Sequence, residues 1–368
     1  MNQHITQLRG SVRLAALLAL VAGLLASSLP AMATETGSPA KNLALIWLNG
    51  KHGYFNSQGE MVIPPKFSGG DNDADFDNIN GRNFSDNGLK VVMEGGKWGY
   101  INAQGEWVIP PKFYWAVDFS ANGLALVTEK KGGKAGYINA EGTWIIPPRF
   151  ARGGSFAANG LAWAEKVDGK VGYINAKGEW VIPPRFDGAD EFDDNLAAVR
   201  KGEKWGYINE QGEWVVSPRF DVIEGFFDNG IATVEENWKS GYFNVREGKW
   251  VFSPPMSESD REAGRRLERK LRFIKYQKLQ WNMENGKSGY VNDKDEWVIP
   301  PRFEEAMYFV ANGLAWVKEN GKKGYINVKG EIVVYIDKIC GFEVLKNARG
   351  EITWPKKTAE QICKEQEK

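Results

Sequence analysis

The chain has 368 residues, 47 Lys+Arg against 47 Asp+Glu, 42 Gly and 12% aromatic residues. Charge balance excludes a general nucleic-acid binder, which carries a basic excess; abundant Gly and aromatics suit short strands and tight turns, not long helices. With two His and two Cys, a multi-His metal site, a His-based triad or a CxxC redox pair is hard to assemble.

The N-terminus comes first. Arg9 and Arg13 form a basic region, Leu14 to Leu29 an apolar run, and Ala31-Met32-Ala33 a small-x-small cleavage site. Residues 1–33 are therefore expected to be a secretory signal peptide. The alternative, a membrane anchor, suits the run less well, because it is short for a span. No later apolar run is long enough to span a bilayer. Export to the periplasm or the outside is the expectation. Removing Arg9 and Arg13 leaves 45 Lys+Arg against 47 Asp+Glu, a net charge of −2.

A Gly-Tyr pair then recurs eight times, at Gly53, Gly99, Gly136, Gly172, Gly206, Gly241, Gly289 and Gly324, with a base period of about 35 residues. In the third unit Leu124–Val127 predicts a first strand, Ala135–Asn139 a second and Trp144–Ile146 a third, stopped by Pro147-Pro148. Phe150 starts a loop or a short fourth strand. An Asn ends each second strand, from Asn56 to Asn327, and Gly follows three positions on in most units. Asn starts the turn through its side chain, and Gly supplies the positive φ that closes it. Unit six is one residue longer, at Gly248, and unit seven has Asp295. Asn-Gly before the first strand marks another turn, broken by Asn195-Leu196 in unit five. Pro-Pro lacks two donors and is expected to end ladder pairing.

The segment Lys97–Phe113, KWGYINAQGEWVIPPKF, and its relatives resemble the WG (KWG) repeat of bacterial proteins over about residues 43–335. Only Trp98 and Trp205 keep the full KWG triplet; His52, Ala135, Val171, Ser240, Ser288 and Lys323 replace Trp elsewhere. The resemblance implies tandem β-repeats and hands over no catalytic residue, because the family mostly lacks an assigned activity.

Two insertions follow the Pro-Pro site. Residues 68–83 are acidic, and Asp71, Asp73, Asp75 and Asp77 lack the Gly and Glu of a Ca²⁺ loop. In residues 256–279, a Ser259/Glu262 capping box and Ala263, Leu267, Leu271 and Ile274 at helical spacing predict a helix. Its other face is basic, either solvated or facing an anionic surface or acidic partner. Residues 336–368 read as a capping hairpin and tail, where the spacing of Cys340 and Cys363 permits a disulfide.

The expected fold is all-β: eight tandem antiparallel meanders in residues 34–335, as a β-propeller-like ring or an open twisted solenoid. Two recurrent series are binding candidates. The third-strand Trp residues (Trp107, Trp144, Trp180, Trp214, Trp250, Trp297) suit packing between units or stacking on sugars. The cations after Pro-Pro (Lys66, Lys112, Arg149, Arg185, Arg219, Arg302) suit edge protection or an anionic partner. The expected function is an exported, monomeric, non-enzymatic scaffold for a protein or cell-envelope partner, without cofactor, metal or stable membrane span. A glycan-binding module is the alternative and a carboxylate-dependent hydrolase a third reading, although most Glu residues recur as turn positions do.

Overall fold

The computed structural model describes residues 43–68, 84–226, 230–253, 256–264, 266–267, 279–292, 294–310 and 312–367. The expected signal peptide and residues 69–83 of the acidic insertion lie outside these. The described residues form eight antiparallel sheets in chain order, matching eight repeats. Three strands form the body of each. In the second repeat they are Lys90–Glu94, Lys97–Ile101 and Trp107–Phe113.

The third strand does not stop at Pro-Pro, as the sequence suggests. It runs on to Phe113, which pairs with Trp98, after register shifts that mark a bulge. The same course recurs at Phe67, Phe150, Phe186, Phe220 and Phe303. Consecutive prolines withdraw a donor from each side of the strand, and the inner ladder survives by bulging. The eighth repeat shows what Pro-Pro prevents. There Tyr335-Ile336 replaces it, and Ile332–Ile339 pairs on both sides, with Lys322–Ile326 and with Phe342–Lys346.

The short fourth strand leaves its own repeat. Trp115–Ala116 pairs with Ala125–Thr128, and Arg152–Gly153 with Ala162–Glu165, each the first strand of the next repeat. The expected placement within the same repeat is therefore corrected. A proline-blocked strand offers no continuous edge, whereas the next first strand does.

The turns follow the residues that predict them. Asn102 Oδ1 accepts from the backbone N–H of Gln104 and Glu106, both at 3.0 Å, and its Nδ2 donates to Glu106. Asp295 holds φ 60°, so it adopts the conformation Gly supplies elsewhere. In unit five Asp194 and Asn195, at φ 50° and 63°, make the turn that Asn-Gly makes in other units.

Successive sheets pack face to face through buried side chains. One joint joins Tyr100, Ile109 and Phe113 to Ala125, Val127 and Ile138 of the next repeat; small Ala residues on first strands permit the close approach. The Tyr hydroxyl is a second tie. Tyr100 donates to Val117 O and Tyr137 to Gly154 O, both at 2.8 Å. Burial pushes both hydroxyls up from the usual Tyr range, so they remain donors.

Backbone pairing stays inside each sheet, and no barrel forms among the described residues; an open array would share that feature. The ends of the array nevertheless meet. Ala44, Ile46 and Leu48 of the first sheet share one core with Leu314, Val334 and Leu345 of the last. Tyr325 donates to Leu45 O at 3.2 Å, repeating the tie made at internal joints. This contact is the one a ring needs.

The tail strands Phe342–Lys346 and Ile352–Trp354 extend the last sheet to six strands. A helix not expected from the sequence follows, Ala359–Gln366, capped reciprocally by Thr358 and Gln361 and burying Ile362. Thr358-x-x-Gln361 was its signal. Cys340 and Cys363 form a disulfide that holds it to the last sheet. In the second insertion, residues 258–264 and 266–267 are helical. The cap is Ser257 with Asp260, two residues before the expected Ser259/Glu262 pair. Gly264 packs against the Tyr242 ring, where an added Cβ would lie 2.3 Å from Cε2.

Because the bridge spans 23 residues, reduction should lower stability by about 3 kcal/mol. Urea unfolding with and without reductant measures this; an unchanged midpoint would mean that the bridge adds no stability to the fold.

Candidate functional site

The two recurrent series meet around one ring at each joint. Because Phe pairs beside the second strand, the preceding cation folds back over it. Lys66 lies 5.0 Å from the Phe67 centroid, Lys112 5.1 Å from Phe113 and Arg149 5.0 Å from Phe150. Arg185, Arg219 and Arg302 lie 5.1, 5.5 and 4.8 Å from Phe186, Phe220 and Phe303. Such contacts each contribute about 0.5–1 kcal/mol at exposed sites.

Five of these six cations, all but Lys112, also reach across to the next repeat. Lys66 donates to Gly105 O at 3.0 Å and Arg302 to Gly330 O at 2.6 Å. Arg149 and Arg185 donate to Gly178 O and Gly212 O. Arg219 instead forks onto the Glu236 carboxylate at 2.7 and 3.0 Å. These exposed cations therefore brace the joints.

The Trp series fills the other side of those rings. Trp107 meets Phe67 edge-on at 5.6 Å, Trp180 meets Phe150 at 5.7 Å, Trp214 meets Phe186 at 5.7 Å and Trp250 meets Phe220 at 6.1 Å. Trp144 packs on the core containing Phe113. Trp297 is half-buried. Packing between repeats is thus the observed arrangement, and each of these indoles is half-buried.

At the third–fourth joint this cluster opens into a groove of about 760 Å³, lined by Arg149, Phe150, Lys166–Asp168 and Lys177–Trp180. It combines an aromatic wall with cations. Lys166 pairs with Asp168 at 2.9 Å, and that hydrogen bond lowers the Asp168 pKa. The groove can accept a small ligand with an apolar face and an anionic or hydroxyl edge. No group of three or more His, Cys, Asp or Glu residues suited to a metal occurs among the described residues.

A second feature escaped the reading of the sequence. Along each WVIPP strand, Trp, Ile and Phe turn inward, which leaves the residue after Trp outside. Val62, Val108, Ile145, Val181, Val215 and Val298 are 38–46% exposed. The signal was the strict alternation around Ile, obscured because the whole segment is apolar.

His52 occupies the slot of the repeat Trp. It is buried between Trp47, Tyr54 and Phe67, with ring centroids at 5.8, 6.2 and 5.7 Å. Burial, with Lys90 and Lys51 nearby, lowers its pKa to about 4.

The fold and its joints define a β-repeat protein of stacked, proline-edged sheets. The family model described as "WG containing repeat" matches residues 53–70, 98–134, 136–170, 172–205, 205–250 and 289–322, more than half of the chain. The chain belongs to that family. No curated protein matches its sequence. Among solved structures it is similar to virginiamycin B lyase from Staphylococcus aureus, at 15% identity and TM-score 0.33, covering 64% of this chain and 89% of that one. The structure of a eukaryotic initiation factor gives 12% identity and TM-score 0.41, covering 81% of this chain and 85% of that one. Likeness at this level carries no inference about activity.

Protonating His52 opposes folding. The stability it contributes is full above pH 6.5, its unfolded value, and is lost as pH falls toward about 4. The span corresponds to roughly 3 kcal/mol. His52→Trp, the residue that Trp98 and Trp205 place at this slot, should flatten that part of the stability–pH curve in urea titrations; an unaltered slope would show that His52 does not set it.

Proposed function

We propose that the chain is an exported, non-enzymatic repeat scaffold that binds a protein or cell-envelope partner along its outer strands. The observation that carries this reading is the exposed apolar residue repeated at one register in six third strands. Exposed branched residues at equivalent places give an extended ligand several contacts of one kind. Prolines beside them discourage indiscriminate strand addition, so contact falls to side chains.

The recurrent carboxylates support a non-enzymatic reading. Glu60, Glu106, Glu179, Glu213, Glu296 and Glu331 each accept from the turn Asn four residues earlier. They stabilise turns once per repeat. The groove beside Trp180 favours the second reading, a glycan-binding module, because a half-buried indole lines it together with polar groups.

Replacing Val108, Ile145 and Val181 by Asp should abolish co-purification of an envelope-fraction partner while changing the unfolding free energy by no more than about 0.5 kcal/mol per site, as expected for exposed sites. Unchanged capture by the triple variant would contradict outer-strand binding. Turnover of a cell-wall or glycan substrate by purified protein would contradict the non-enzymatic reading.

A further inference from the structure

Strand register sorts the exposed side chains between two ends of the array. In each repeat the hairpin joining first and second strands lies beside the end of the third. Thus Trp98 pairs with Phe113, Trp205 with Phe220 and Ser288 with Phe303. The exposed Lys that opens the return strand (Lys51, Lys97, Lys239, Lys322) shares this end with the cations after Pro-Pro. Neighbouring sheets keep the end in common. Arg219 reaches Glu236 beside the next hairpin, and Asn49 at the first hairpin bonds Glu343 in the tail hairpin.

Carboxylates at this end pair with some of the cations, as Asp187 does with Lys170, Asp221 with Lys204 and Glu236 with Arg219, but elsewhere the cations stand in excess. In the third repeat Lys130, Lys131, Lys134 and Arg149 stand against Glu129 alone. The Asn turns and their Glu residues lie at the opposite end, because Ile101 pairs with both Lys90 and Trp107.

The Lys-bearing end also displays apolar side chains. Trp47, Tyr114, Trp115 and Met283 are exposed beside hairpins or beside the Phe residues that pair next to them. Val167 and Trp238, at hairpin tips, are 72% and 79% exposed. Trp238 is also held at φ 60°, a position that Gly50, Gly286 and Gly321 occupy in the corresponding Asn-Gly hairpins. Bulky L residues disfavour that conformation. Its backbone N–H donates to Asp221 Oδ2 at 3.3 Å, while its ring, 79% exposed, gains little packing within the fold.

We propose that this end docks on an anionic phospholipid surface, with Lys side chains at the headgroups and Trp238, Trp115 and Val167 in the interfacial layer. Trp and Tyr favour that layer, and basic residues add attraction to anionic lipid. The tips come from separate repeats at one end of the array. A planar surface can touch them together, whereas a protein partner would need a contiguous patch. This surface is distinct from the outer-strand residues, so either assignment can fail alone.

Vesicle co-sedimentation of the full chain tests the proposal. Vesicles of phosphatidylcholine are compared with vesicles of phosphatidylcholine and phosphatidylserine; the N-terminal apolar run is common to all samples, so the readout is the difference. Binding should favour phosphatidylserine and weaken with salt. Lys97→Ala and Lys239→Ala should each reduce that excess about fivefold. Trp238→Gly should weaken binding several-fold while raising the urea midpoint, since Gly suits the positive φ. Equal binding to both vesicle types, or full binding by the Lys and Trp variants, would overturn the proposal. So would binding of an acidic polysaccharide or acidic protein through these residues without vesicle binding.

Discussion

The contact on which the structure depends is between two stretches of backbone. At seven of the eight WG-type Gly residues the third strand presses its backbone onto the second, and in the first four repeats and the seventh it does so through the bulged Pro-Pro segment. A Cβ added to Gly172 would lie 2.4 Å from Ile182 O and 2.7 Å from Pro184 N. Corresponding approaches of 2.3–2.6 Å to a carbonyl oxygen occur at Gly53, Gly99, Gly136, Gly206, Gly289 and Gly324. No side chain fits, so the repeat requires Gly where the sequence is otherwise free to vary. The preceding residue tolerates Trp, His, Ala, Val, Ser or Lys.

The joint follows from that contact. Bulging carries the third strand past the prolines and delivers Phe to the second strand, with the cation over its ring. The next repeat then supplies Trp to the ring edge and a carbonyl to most of the cations. Proline blocks the outer side of the strand, which sends the chain onto the next sheet. Each repeat thereby contributes to two sheets, and the first and last meet through the same Tyr-to-carbonyl bond. Such a design resists edge-to-edge aggregation, because the exposed strand is the one with missing donors. The eighth repeat lacks Pro-Pro and gains a tail hairpin at that edge.

Much of this was legible because its determinants are local. Asn, Gly and the aromatic spacing mark turns and strands, and eightfold repetition removes ambiguity. The Pro-Pro reading failed because a donor-poor segment can end a ladder or bulge through it, and only the facing Gly, distant in sequence, decides. Fourth-strand exchange depends on a partner edge in another repeat and has no local signature. Of the candidate site, residue types were readable but not their engagement. Arg149 and Arg302 looked like free edge charges, yet they donate to carbonyls about 30 residues on. Exposed Val108 and its equivalents were hidden by apolar neighbours. Trp238 stood out only once its backbone conformation and exposure were known.

The central claim is that steric exclusion at the WG glycine, more than glycine's backbone freedom, sets the repeat. Urea unfolding of Gly172→Ala against Gly169→Ala tests it most directly. Gly169 sits at φ 83° with no atom within 4 Å of an added Cβ, so Ala there should cost about 1 kcal/mol. Gly172→Ala must displace backbone and should cost about 3 kcal/mol or more. A loss at Gly172 equal to or smaller than that at Gly169 would contradict the account.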